Sequence, residues 1–341
     1  MASGLSKFKT SPLLRIYSKI VCFSAIFLIF LGGLVKSTES GLSVPDWPTT
    51  YGHFMFAFPL SDMVGGIRYE HTHRMVASVV GLLTLVLCVW LYRAQVPRWI
   101  KRLGLCSFIA VVLQGVLGGL TVKYFLPVWL SSFHGTLAHI YFLLTVMIAY
   151  GLSVEYSARR VQPAVEFDSK FLRMSMIFIG MVLLQLVFGN LMRHTESGLA
   201  VPDFPTMGGE IIPTFNQAML AHINVWRFEH GFSSVTIGQV FLHFLHRMWA
   251  LLILFKLIYI NFLAYQRSLN NGLIIKTLFG LNLVVGLQIA LGIATVLSLK
   301  EVYTTTFHVV TGALVLGISL MLILRSAPVA FGEFQTLLAK R

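Results

Sequence analysis

Two short stretches place histidine where a membrane makes it costly. "YEHTHRM" (69–75) carries Glu70, His73 and Arg74 at the start of a long apolar run, and "FLHFLHRM" (241–248) carries His243, His246 and Arg247 at the start of another. Two more histidines open apolar runs, His134 in "SSFHGTLA" and His308 in "TTFHVVTGA". His134 follows His73 by 61 residues and His308 follows His246 by 62. One histidine in a membrane helix is as readily a polar contact between helices as a functional group. Four at matched places are harder to dismiss. Two neutral imidazoles facing each other across a helical bundle supply the axial pair of a six-coordinate haem. Zinc needs further N, S or O donors, and cysteine is absent from these positions.

Glu70 lies three residues before His73 and so shares its helix face; His243 holds the same place before His246. A carboxylate beside a porphyrin suits a general base or a group that stabilises developing positive charge. The plainer alternative is a residue favoured by the helix dipole. Arg74 and Arg247 are placed to pair with haem propionates, or to snorkel to the interface. Of the other histidines, His53, His194, His222 and His230 read as loop residues, and His71 and His139 point away from the paired faces. Gly32, Gly33, Gly115, Gly118, Gly119, Gly135, Gly286 and Gly292 remove bulk where a ring system must fit between helices, or simply let helices pack closely.

The elements that must hold these groups are membrane helices. The chain of 341 residues is 56% hydrophobic and 11% charged, with mean hydropathy +0.79, against the quarter or so charged in a soluble domain. Apolar runs near the roughly 20 residues needed to cross a bilayer are expected at about 16–36, 70–92, 102–122, 132–154, 171–192, 238–262, 275–297 and 305–325. The net charge of +13 is an orientation signal and does not point to nucleic acid. Lys7, Lys9, Arg15, Lys19, Arg93, Arg98, Lys101, Arg102, Arg159, Arg160, Lys170, Arg173, Arg267, Lys276, Arg325, Lys340 and Arg341 fall on one side, which the positive-inside rule makes cytoplasmic, with both termini. The four histidines then lie towards the outer face. The first span reads as a retained anchor with no cleavage site. Cys22, Cys88 and Cys106 suggest no external disulfide.

The chain is also duplicated. "TESGLSVPDWPT" (38–49) returns as "TESGLAVPDFPT" (195–206), and "QGVLGGLTV" (114–122) as "QIALGIATV" (288–296). Offsets of 157 and 174 put an insertion in the second long loop, about 194–237, where "INVWRFEHGF" (223–232) reads as an interfacial segment. The expected fold is an all-α integral membrane protein, eight transmembrane helices arranged as two pseudo-twofold-related four-helix bundles, residues 1–160 and 161–341.

The four-plus-four duplication, the E-x-x-H-R of Glu70–Arg74, the H-x3-A of His134–Ala138 and the loop "GGLVKSTESGLSVPDW" resemble the haem A synthase family across roughly residues 16–325. The resemblance implies oxidation of the C8 methyl of haem O to a formyl group through hydroxylated intermediates, giving haem A for cytochrome c oxidases. It implies a permanent haem b on His246 and His308, engaged in electron transfer. It places substrate haem between His73 and His134, with Glu70 as the catalytic carboxylate. It also implies a plasma-membrane location beside haem O synthase and the oxidase assembly machinery, alone or as a homo-oligomer, with an electron donor or acceptor the sequence does not identify. The cysteine pair that some members carry in the outer loops is absent. Two other readings compete: a dihaem, quinol-oxidising cytochrome b-like protein, which has no need of Glu70 beside one haem only, and a parallel-repeat transporter, which would bind no haem.

Overall fold

A computed structural model of the chain describes residues 10–159, 168–267 and 271–327. Lys7, Lys9, Arg160, Lys340 and Arg341, and the boundary expected near residue 160, lie outside them. The described residues form ten α-helices: α1 Pro12–Ser37, α2 Gly65–Arg93, α3 Arg98–Lys123, α4 Val128–Gly151, α5 Val154–Arg159, α6 Ser169–His194, α7 Gln217–Glu229, α8 Ile237–Gln266, α9 Gly272–Leu297 and α10 Val302–Ser326. Eight of these, all but α5 and α7, are long and apolar enough to cross a membrane, as befits a multi-pass membrane protein. At 1.5 Å per residue, helices of 24 to 30 residues exceed the roughly 30 Å hydrocarbon core. Most extend beyond the apolar runs by a few residues at their polar ends. The fourth instead starts and stops earlier than expected, at Val128 and Gly151.

Local chemistry sets the ends. Pro12 opens α1, and Pro97 and Pro127 stand at the N-caps of α3 and α4, positions where a missing N–H costs nothing. Asp168, Asn216 and Asn271 cap α6, α7 and α9 with side-chain oxygens. Thr236 and Gln239 close a capping box on α8, satisfying two otherwise orphaned donors.

Within the first four spans α1 packs on α2 and α4, and α3 on α2 and α4; within the last four α6 packs on α8 and α10, and α9 on α8 and α10. Between the two sets α1 meets α10, α4 meets α6, and α4 meets α10. Gly317 permits that last approach: a Cβ there would sit 2.8 Å from the ring of Phe142. Towards the chain ends, Arg325 makes a two-pronged pair with Glu155 (2.9 and 2.6 Å), and Arg159 donates to Tyr150 and to the carbonyls of Leu324 and Ala327. Large apolar side chains such as Phe23, Phe255, Phe279 and Leu283 face outward, as a lipid solvent requires. The two long loops, 38–64 and 195–236, share the opposite side, called here the long-loop side. The longer of them contains α7, which covers most of the expected interfacial segment.

Candidate functional site: two pairs of glycine-seated histidines

All four histidines sit at the long-loop ends of their helices, and each rests against a glycine of the preceding span. A Cβ on Gly32 of α1 would lie 3.2 Å from Cε1 of His73, and one on Gly118 of α3 3.4 Å from His134. In the second half Gly189 of α6 seats His246 at 3.4 Å and Gly292 of α9 seats His308 at 3.0 Å. The missing side chains let each ring bring its Cε1 edge close to backbone. Gly189 escaped the sequence reading, although it follows Gly32 by the loop-repeat offset of 157. Gly115 and Gly286 have open space where a Cβ would be.

The rings are short of partners. Nδ1 of His73, His134 and His246 is buried with no hydrogen bond among the described residues, yet each ring is only half-buried overall. Nδ1 of His308 reaches the Gln288 carbonyl at 3.2 Å. A carbonyl only accepts, so that contact puts the proton on Nδ1 and the lone pair on Nε2, where it meets the Gln288 side-chain amide at 3.4 Å. Glutamines fix the backbone at two of the others: Gln114 donates to the carbonyl of His134 and Gln185 to that of His246, each at 3.0 Å. His73 lies within electrostatic range of His134, and His246 of His308. No cluster of three or more His, Cys, Asp or Glu that could hold a metal ion occurs among the described residues. Paired imidazoles without a third donor are ill-matched to zinc and fit the axial positions of a porphyrin iron.

Glu70 is buried, and each of its carboxylate oxygens accepts a hydrogen bond. Oε1 accepts from Arg74 at 2.6 Å and Oε2 from the Val44 N–H at 2.8 Å. Arg74 continues into the loop, donating to the carbonyls of Asp46, Val44 and Thr49. The second half repeats the arrangement with an imidazole. Nε2 of His243 lies 3.0 Å from Arg247 Nε and Nδ1 lies 3.3 Å from the Val201 N–H; a neutral imidazole has one acceptor nitrogen and so takes only one of the two bonds. Arg247 donates to the carbonyls of Val201, Asp203 and Thr206. Both arginines therefore tie a loop to a helix, a role the sequence reading did not give them. Of the remaining histidines, His71 is buried and bonds Thr50, and His139 is buried with Nδ1 on the Gly135 carbonyl. His194 and His222, expected in loops, are helical, because α6 runs on to His194 and α7 forms around His222.

The repeated loop sequence encodes a repeated internal geometry. Asp46 accepts from the N–H groups of Tyr51 and Gly52, and Asp203 from those of Gly208 and Gly209. Thr38 pairs with Ser40 and Thr195 with Ser197, and Glu39 and Glu196 both adopt left-handed backbone. Burial pushes the Asp46 carboxyl up, but the donors Gly52, Thr49 and Tyr51 outweigh it and hold it at about 2. Trp47 lies on Gly119, whose Cβ would collide with the indole. The two halves are also stitched together. Lys36 of α1 and Lys300 pair with Glu196, and Arg193 of α6 donates to the Gly33 carbonyl and to Ser37.

The sequence profile of cytochrome oxidase assembly proteins, COX15-CtaA, matches residues 15–62 and 56–320. The chain is 27% identical over 311 residues to the Heme A synthase of Lysinibacillus sphaericus, covering 88% of this chain and 92% of that one. It is 25% identical over 337 residues to the Heme A synthase of Pelagibacter ubique (87% and 92%) and 24% identical over 320 to that of Rickettsia bellii (84% and 90%).

Proposed function

The chain belongs to the COX15-CtaA family of cytochrome oxidase assembly proteins, and on that premise we propose that it is a haem A synthase, an oxidoreductase that converts the C8 methyl of haem O to a formyl group. The observation that carries the assignment is the set of four glycine-seated imidazoles in two pairs, the members of each within electrostatic range, three of the four with a buried and unpartnered nitrogen.

His73 and His134 hold the substrate haem, and His246 and His308 a permanent haem b, which when bound supplies a one-electron redox centre beside the substrate site. Residues 1–160 and 161–341 are thus a substrate half and a cofactor half. Oxidising methyl to formyl exchanges two C–H bonds for a C=O bond, so four electrons pass to an acceptor outside the chain and an oxygen atom enters from water or dioxygen. Where electrons leave the carbon next to the conjugated ring ahead of the new C–O bond, positive charge develops there. Glu70 lies on the His73 face of α2 one turn away, and its carboxylate, fixed by Arg74 and the Val44 N–H, stabilises that charge without having to reorganise. It also offers an acceptor for a departing proton. In the other half the neutral His243 fills the same place, consistent with a haem that is not itself oxidised. Arg74 and Arg247 have donors directed to the long-loop side and can receive propionates only by sharing the guanidinium with loop carbonyls. The long-loop side faces outward from the plasma membrane, both termini face the cytoplasm, and haem O synthase supplies the substrate.

The test is to express the chain with a haem O synthase and separate the extracted haems by chromatography. Haem A should accumulate, and Glu70→Ala or His73→Ala should stop it. Haem O left unchanged by the wild-type chain overturns the assignment. Bound haem without haem A production points to the dihaem electron-transfer alternative.

A further inference from the structure

The two halves differ in one more respect, beside His73. A groove of about 220 Å³ opens between the long-loop ends of α1 and α2, lined by Leu31, Leu34, Arg68, Tyr69 and Thr72. Leu31 is the chain neighbour of Gly32, the seat of His73, and Thr72 that of His73 itself, so on both helices the groove's lining comes within one residue of the first site along the chain. Arg68 is exposed, lies 4.8 Å over the Tyr69 ring and donates to its hydroxyl at 3.0 Å. No carboxylate pairs with it among the described residues.

The repeat offsets, 157 along α1 and 173 along α2, identify the same five positions in the second half: Phe188, Leu191, Phe241, Leu242 and Leu245. All are apolar, and the two phenylalanines are packed. Phe188 stands edge-on to Trp249 at 5.9 Å, and Phe241 contacts Phe215 at 5.7 Å and Phe244 at 6.4 Å. Phe215 comes from the longer loop, so the insertion itself helps to cover this place. Where the first half has a cationic opening, the second has aromatic rings in edge-on and tilted contact.

A complete ligand pocket measures roughly 300–1,000 Å³, so the groove seats one edge of a porphyrin and not a whole one. Its leucine floor suits the macrocycle, and its guanidinium suits a carboxylate, which arginine engages in two-pronged fashion. We propose that this groove is the path by which the substrate haem reaches and leaves the His73–His134 site, with Arg68 receiving a propionate on the way. The aromatic filling at the equivalent place keeps the second haem in its site. The inference rests on the first half being the substrate half.

The test uses the full-length protein in lipid nanodiscs, mixed rapidly with ferric protoporphyrin IX or with its dimethyl ester, while growth of the bis-imidazole Soret band is followed. Arg68→Gln should slow loading of the free acid about tenfold, Arg68→Lys should restore much of the rate, and the ester should load slowly and be indifferent to Arg68. Leu31→Phe with Thr72→Leu, which copies the second half, should slow both probes. If Arg68→Gln and the filled groove load both probes at the wild-type rate while His73→Ala abolishes the band, the path lies elsewhere and the site assignment stands. If His73→Ala leaves the band intact, the site assignment fails and the groove proposal with it.

Discussion

Glu70 and His243 occupy the same point in the two halves, each set between a valine N–H and an arginine a turn further along its helix. The carboxylate accepts from both on separate oxygens, whereas a neutral imidazole has one acceptor nitrogen and takes only one of the two bonds. A buried carboxylate paired with arginine has no general structural advantage over a well-packed neutral group, and the second half holds its loop with an imidazole at this place. The negative charge at Glu70 is therefore explained by chemistry in the first half.

Separating charge from tethering gives the first prediction. Glu70→Gln removes the charge and keeps one acceptor oxygen, which serves the Val44 N–H or Arg74 but not each on an oxygen of its own, so bound haem should be largely retained by absorption while haem A formation falls roughly 10²-fold. Glu70→His should behave in the same way. Glu70→Ala strands the Arg74 charge and should destabilise the protein by about 3–5 kcal/mol, read as a lower unfolding temperature in detergent. Full activity in Glu70→Gln would remove the charge from the mechanism.

The glycine seats make a graded prediction. At Gly292 a Cβ would stand 3.0 Å from His308, closer than atoms tolerate without movement, whereas at Gly118 the 3.4 Å to His134 is nearly ordinary contact. Gly292→Ala should shift the low-spin ferric signal of the second haem, and Gly118→Ala should leave the first nearly unaltered. Gly292→Val should eject the second haem altogether, measured as a loss of one haem per chain by pyridine haemochrome.

The first long loop should be acid-sensitive. Asp46 holds its proton less readily in the folded loop, at about 2, than its ordinary 3.8. Its contribution to loop stability is thus complete above about pH 4 and is lost as pH falls towards 2. Trp47, stacked on Gly119, reports the change, so its fluorescence should shift over that window. Asp46→Asn should abolish the transition and leave the loop loosened already at neutral pH.

The links between halves should be unequal. Glu196 is 52% exposed, so Glu196→Gln should cost under about 1 kcal/mol. Arg193→Leu deprives the Gly33 carbonyl and Ser37 of their donor and should cost about 1–3 kcal/mol. Gly33 adjoins the seat of His73, so the same variant should also perturb the absorption of the first haem. Unfolding temperature and spectrum together check both.

The eight spans and the histidine spacing were legible because hydropathy and repetition are local properties of the chain. Glu70 and His243 could likewise be matched by offset alone. What they bond to could not: Val44 and Val201 lie in loops whose return to the helix is a tertiary event, and the arginines, read as free for propionates, are largely committed to those loops. The Thr, Glu and Ser of the shared "TESGL" and the Val and Asp of "VPD" now have a cause, because they supply a donor, an acceptor or a turn to a loop geometry that both halves use. The groove at Arg68 was invisible for a different reason. It exists by comparison with Phe188, which packs on Trp249, and Phe241, which packs on Phe215 from the inserted segment.

The most direct measurement is haem content per chain, with ferric electron paramagnetic resonance, across the four single histidine-to-alanine variants of protein supplied with haem O. The account expects two low-spin bis-imidazole centres in the wild type, loss or conversion of the same centre in His73→Ala and His134→Ala, and of the other centre in His246→Ala and His308→Ala. A variant pair that fails to affect a common centre, or a wild type with no bis-imidazole signal, would contradict it.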